Sequence, residues 1–99
     1  MSAPGERDGC ALVTGGSRGI GAAIACALAA DGWPVGVNFR QGEDAAGETV
    51  ARIEDGGGQA LAVRADVTVP EELERMFDAL EQRFGRVLVL VNNAGVRAD

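Results

Sequence analysis

The sequence predicts an α/β fold: a Rossmann-like, doubly wound parallel sheet, represented by its first four strands and three helices. Three observations predict it. Short apolar runs of strand length alternate with stretches whose apolar residues recur at helical spacing. A glycine-rich segment, TGGSRGIG at 14–21, joins the first apolar run to an alanine-rich helix. The last run, VLVLV at 87–91, is continuously apolar, as in a parallel strand covered on both faces. The fold is expected over residues 9–99 as the N-terminal part of a dinucleotide-binding domain, with residues 1–8 as a disordered leader.

Each element follows from its own residues. CALVT at 10–14 reads as a buried strand. Ile20, Ala23, Ile24, Ala27 and Leu28 then recur on one helical face, stopped by Gly32 with Pro34 just beyond. Val35, Val37 and Phe39 alternate, giving a second strand over 34–39. A helix over 43–55 places Ala46, Val50 and Ile53 together and is broken by Gly56, Gly57 and Gly58. QALAVRA at 59–65 is a third strand. Thr68 and Glu71 have the spacing of a capping box, Pro70 suits a first turn, and Glu71, Glu72 and Glu74 favour the positive end of the dipole. Leu73, Met76, Phe77, Leu80 and Phe84 form the stripe of that helix, which Gly85 ends. Crossovers joining parallel strands in one sheet are right-handed.

Composition narrows the function. With 99 residues the chain is one domain at most. A net charge of −6 argues against a nucleic-acid footprint. All nine basic residues are arginine, and there is no lysine, tyrosine or histidine. The commonest general base and the phenol are therefore missing. Cys10 and Cys26 have no metal-ligand spacing and no histidine to join them, so no metal site is expected. They read as two reduced, buried small residues of a cytoplasmic protein. No apolar run approaches the roughly 18 residues of a membrane span, and the N-terminus has no signal-peptide pattern.

The glycines sit where strand becomes helix. Gly15 is expected to permit the tight turn, Gly19 to let the backbone approach a ligand, and Gly21 to let the helix pack on the strand. Unbonded N–H groups at a helix start carry about half a positive charge, which suits a pyrophosphate. A glycine-rich turn with no ligand remains the alternative for these residues taken alone.

The pattern T-G-x-x-x-G-x-G, with Asn92, Asn93, Ala94 and Gly95 about 70 residues later, resembles the short-chain dehydrogenase/reductase family. The segments VTGGSRGIG, VNFR, ADVT and VNNAGVRAD are most similar to its bacterial 3-oxoacyl-carrier-protein reductase branch, which serves fatty acid biosynthesis. The resemblance implies a dinucleotide whose phosphates lie on Gly15, Gly16, Ser17, Arg18, Gly19, Ile20 and Gly21. It implies that Asp66 and Val67 contact the adenine, and that Asn93, Ala94 and Gly95, beside Asn92, line the ribose. For Asp66 a loop carboxylate capping the next helix is the competing reading; for the asparagines it is a plain turn.

The cofactor expected is NADP in preference to NAD. A carboxylate about 20 residues past the glycine loop would bind the ribose 2′-hydroxyl of NAD, yet Asn38, Phe39 and Arg40 occupy that region. Arg18 and Arg40 instead offer planar forks matched to a phosphate, and family members with arginines there typically prefer NADP. Two solvated surface arginines are the competing reading. One departure from the family is Leu88, where an aspartate is common; it is expected to loosen packing or hydrogen bonding on the adenine side. Trp33 is expected to be exposed, without a functional role.

The family's chemistry uses a serine and a Tyr-x-x-x-Lys pair, and no catalytic residue of that kind is present here: the only serines are Ser2 and Ser17. Three functions stay open. The chain is the cofactor-binding part of an NADP-dependent short-chain reductase, predicted inactive alone; or a non-catalytic nucleotide-binding or interaction module; or a methyltransferase on a similar sheet, against which Arg40 counts. The expected partners are the dinucleotide and, through the 87–91 strand edge, a second copy or a complementing fragment, with no nucleic acid and no membrane.

Overall fold

A computed structural model describes residues 9–94. The expected leader at 1–8 and the ribose contact at Gly95 lie outside those residues. In chain order the elements are β1 (Gly9–Val13), α1 (Gly19–Ala30), β2 (Val35–Phe39), α2 (Glu43–Asp55), β3 (Ala60–Arg64), α3 (Pro70–Phe84) and β4 (Arg86–Val91). The strands form one parallel sheet of order β3-β2-β1-β4. The chain steps outward from β1 to β3, then returns to place β4 on the other side of β1. This reversal sets the loops after β1 and β4 side by side and opens a crevice at the carboxyl ends of the strands.

Strand periodicity divides the core. Val13, Val35, Val37 and Phe39 pack with Ala25 of α1 and with Ala46 and Ile53 of α2. The alternate residues Cys10 and Leu12 face Met76 and Leu80 of α3. The sheet is thus covered by α1 and α2 on one side and by α3 on the other. Trp33 packs against the α1–α2 layer and is half-buried, not exposed as expected. A tryptophan buries so much apolar area that even a position at a helix end is drawn onto the core.

The start of α3 also differs from its sequence signal. Val69 occupies the N-cap, and no side chain caps the helix. The Thr68 hydroxyl donates to Asp66 Oδ1 at 2.6 Å instead, and Glu72, not Glu71, reaches back to accept the Asp66 N–H at 2.8 Å. A carboxylate two residues upstream is a stronger partner for the threonine than a helix-end amide.

Among the described residues β4 is an edge of the sheet, the open edge expected of this chain, although its apolar run is of the kind that a central parallel strand covered on both faces carries. Its exposure alternates, with Leu88 and Leu90 about half exposed at 52% and 55%. The register shifts beside it: Cys10 pairs with Val87 and Ala11 with Val89, so Leu88 is the extra residue of a bulge. The Leu88 side chain lies where a Cβ on Gly9 would stand. It therefore sits toward the opening end of the strand, away from the residues that line the crevice. Among the described residues no helix is long and apolar enough to cross a membrane, and no acidic, cysteine or histidine cluster could hold a metal.

An uncharged hydrophobic strand edge is a template for pairing with another chain. Sedimentation of the 99-residue chain at micromolar concentration is expected to show self-association. Leu90→Lys, which adds charge to the exposed face, is expected to shift the distribution toward monomer. A monomeric parent chain would contradict this.

Candidate functional site

The site is built around the loop between β1 and α1. Gly15 and Gly19 have φ of 63° and 61°, left-handed values that other residues adopt at a cost. The turn closes so tightly that a Cβ on Gly21 would overlap the Gly15 carbonyl oxygen. Gly21 is thus required by contact with the loop itself, rather than with the strand as expected. A Cβ on Gly19 would meet nothing within 4 Å, so this glycine faces open space at the helix start. No side chain caps α1, and its first turn carries no acid. The positive end of its dipole is available to an anion.

Polar side chains from three directions, Asn38 and Thr49 buried and Asn93 half-buried, hold this loop. The carbonyl oxygen of the Asn38 amide accepts the Gly15 N–H at 3.1 Å, and its NH2 donates to the carbonyls of Val63 and Ala65 at 3.3 and 3.1 Å. The Asn38 backbone carbonyl accepts the Gly16 N–H at 2.8 Å. From α2, the buried Thr49 hydroxyl donates to the Ser17 carbonyl at 3.0 Å. From the segment after β4, Asn93 Nδ2 donates to the Gly15 carbonyl at 3.0 Å. Thr14 Oγ1 accepts the N–H groups of Asn93 and Ala94 at 2.9 and 3.0 Å. Asn38 and Thr49 were not singled out by sequence reasoning. The only signal was a polar residue at the closing end of a buried strand and another in an otherwise small-residue helix face.

These elements enclose a cleft of about 610 Å³. Its lining includes Gly15, Ser17, Arg18, Gly19 and Ile20 from the loop, Arg40 after β2, Asp66 and Val67 after β3, and Asn93 and Ala94 after β4. Those sequence-predicted residues are brought together. Gly16 and Gly21 are buried behind the loop and do not line the cleft. A smaller hollow of about 400 Å³ lies at the opposite end of the strands, beside Trp33 and Gly56–Gly58.

Charge is arranged along one wall. Arg18 and Arg40 are both exposed, and a Cβ on Gly42 would stand 2.6 Å from Arg18 Nη2. The Arg18 guanidinium therefore lies over the turn that carries Arg40. Arg40 Nε is 3.8 Å from Oδ2 of Asp66, which follows the neighbouring strand. Asp66 Oδ1 accepts both the N–H and the hydroxyl of Thr68. Those hydrogen bonds, with Arg40 adding to them, hold its carboxyl below the ordinary aspartate value. Asp66 is thus an ionised acceptor with one oxygen facing Arg40. The free thiols take no part: Cys10 is buried, which raises its pKa, whereas Cys26 is half-buried, not buried as expected, with its Sγ held by Arg52 Nη2 at 3.2 Å.

Residues 9–99 match the family description "short chain dehydrogenase". A 3-oxoacyl-[acyl-carrier-protein] reductase of Synechocystis is 49% identical over 89 residues, which cover 90% of this chain and 36% of that protein. A short-chain dehydrogenase/reductase homolog of Bacillus subtilis is 44% identical, covering 87% of this chain and 79% of the homolog. The solved structure of a short chain dehydrogenase from Burkholderia cenocepacia, in complex with NADP, superposes with a TM-score of 0.84 at 46% identity. It covers 94% of this chain and 38% of its own. The chain therefore spans about a third of the length of most of these relatives.

Replacing Asn38 tests the loop's support directly. Asn38→Ala leaves the Gly15 N–H and two strand-end carbonyls without a partner, and each buried unsatisfied group costs roughly 1–3 kcal/mol. Urea unfolding is expected to show a loss of about 2 kcal/mol or more, whereas Gln41→Ala, at an exposed cleft position, is expected to change stability little.

Proposed function

Since the chain belongs to the short-chain dehydrogenase/reductase family, we propose that it forms the dinucleotide-binding part of an NADP(H)-dependent oxidoreductase. The reaction would interconvert a ketone and an alcohol, and a 3-oxoacyl thioester is the substrate class favoured by the likeness to the Synechocystis reductase. The observation that carries the cofactor is that Arg18 lies over the turn bearing Arg40, and that this turn, Arg40–Gln41–Gly42, itself has no carboxylate to meet a ribose 2′-hydroxyl.

The residues present fit such a cofactor. The uncapped start of α1 and the open space at Gly19 suit a pyrophosphate. Ile20, 74% exposed, offers an apolar contact at the cleft's rim. Asp66, kept ionised by Thr68, can accept from the adenine amino group, while the Val67 backbone stands beside it. Asn93 and Ala94 line the end nearest the topological reversal, where the ribose would lie. Arg18 and Arg40 would hold the 2′-phosphate. When bound, NADP supplies the hydride chemistry. The chain's own part is to bind and orient it, for it contains no tyrosine or lysine to move a proton.

A second reading is a stand-alone nucleotide-binding module. The Bacillus homolog favours it, because this chain covers 79% of that protein's length. In either reading the β4 edge is the proposed contact for a second copy or a complementing fragment. The methyltransferase alternative is disfavoured by Arg40, which stands where that reading wants an acid.

Titration of the chain with NADP and NAD tests the cofactor. Charge-assisted hydrogen bonds contribute on the order of 1.5–3 kcal/mol, so Arg40→Asp is expected to shift relative affinity toward NAD by roughly tenfold or more. An unchanged ratio would make the arginines plain surface charges. The same chain is expected to show no oxidation of NADPH by a 3-oxoacyl thioester above a protein-free control; turnover that follows chain concentration would contradict its non-catalytic role.

A further inference from the structure

Arg40 is the residue on which the proposed NADP preference rests, yet the turn that carries it, Arg40–Gln41–Gly42, is short and exposed. A second arginine holds that turn. Arg64, the last residue of β3, pairs with Phe39 in the sheet register. Its guanidinium lies over the Phe39 ring, 5.2 Å from the centroid. From there Nη1 donates to the Arg40 carbonyl at 3.2 Å, and Nη2 reaches Glu43 Oε1 at 3.4 Å. Arg64 does not line the cleft.

One guanidinium therefore does two things. It fixes the backbone of Arg40, and it engages Glu43, the acid that opens α2 three residues later. With Glu43 so engaged, the Arg40 side chain is left facing the cleft, where its acidic neighbour is Asp66 at 3.8 Å. Without Arg64, Glu43 would be released beside Arg40, and its carboxylate would compete with a phosphate for the same guanidinium. Arg40, Arg64 and Glu43 are solvent-exposed and Asp66 is partly so, so the effect is a bias of a few-fold rather than a switch.

We propose that Arg64 is a positioning residue for 2′-phosphate selectivity, acting by holding the Arg40 carbonyl and by keeping Glu43 away from the Arg40 side chain. The proposal rests on the NADP reading of the cleft, and one experiment separates the two. NADP and NAD affinities are measured by calorimetric titration of the 99-residue chain and four variants. Arg64→Met keeps an apolar stem over Phe39 and removes both polar contacts. It is expected to lower the NADP-to-NAD affinity ratio about threefold to fivefold, with NAD affinity unchanged. Adding Glu43→Gln to Arg64→Met is expected to recover the part of that ratio due to Glu43, the Arg40 carbonyl staying unheld, and a merely structural role for Arg64 produces no recovery. Glu43→Gln alone is expected to hold or raise the ratio. It needs no change at Arg64, so it stands if the Met variant folds poorly, and a fall in the ratio there would overturn the proposal. Arg40→Ala is the control. If it lowers the ratio while Arg64→Met leaves it unchanged, Arg64 has no such role and the NADP reading stands. If Arg40→Ala also changes nothing, the NADP reading fails and this inference fails with it.

Discussion

The hydrogen bonds of Asn38 are the constraint on which the rest depends. A loop with left-handed glycines at 15 and 19 has no intrinsic reason to keep one shape, because glycine loses more freedom on folding than any other residue. The Asn38 amide takes the Gly15 N–H on one side and the β3-end carbonyls on the other. It thereby ties the loop to two neighbouring strands at once. Thr49 and Asn93 add ties from α2 and from the segment after β4. These ties come from the chain's own side chains, and a site ordered in advance spends less binding energy on its own rearrangement.

Most of the architecture was legible because its punctuation is local. Glycines bound the helices: Gly42 in a left-handed conformation opens α2, and Gly56 closes it at the expected residue. Alternation in Val35, Val37 and Phe39 gave the strand and the face that meets α1 and α2. What failed was decided by competition or by distance. The Thr68–Glu71 spacing was real, but Asp66 captured the threonine. Asn38 and Thr49 act on partners 23 to 32 residues away, which no local pattern announces. The bulge at Leu88 is a matter of register between β1 and β4, and a uniformly apolar run carries no register mark.

Local charge outweighs the charge of the whole. The chain carries −6, which by itself would repel a dinucleotide. Exposed charges further apart than a Debye length, about 8 Å at physiological ionic strength, are largely screened. The cleft is lined by Arg18, Arg40 and the start of α1, with the Asp66 carboxylate 3.8 Å from Arg40 as an acceptor. Two exposed cations and one ionised carboxylate thus share one stretch of the cleft, so the field there is set locally and not by the net charge.

The central claim is that the pinned glycine loop and its flanking arginines form one anion site at the carboxyl ends of the strands. Amide chemical shifts followed during titration with NADP test it most directly. The account predicts saturable shifts at Gly15, Ser17, Gly19 and Ile20, together with Arg40 and Asp66, and none in the hollow beside Trp33 and Gly57. Shifts confined to the Trp33 end, or none at millimolar NADP in a folded chain, would contradict it.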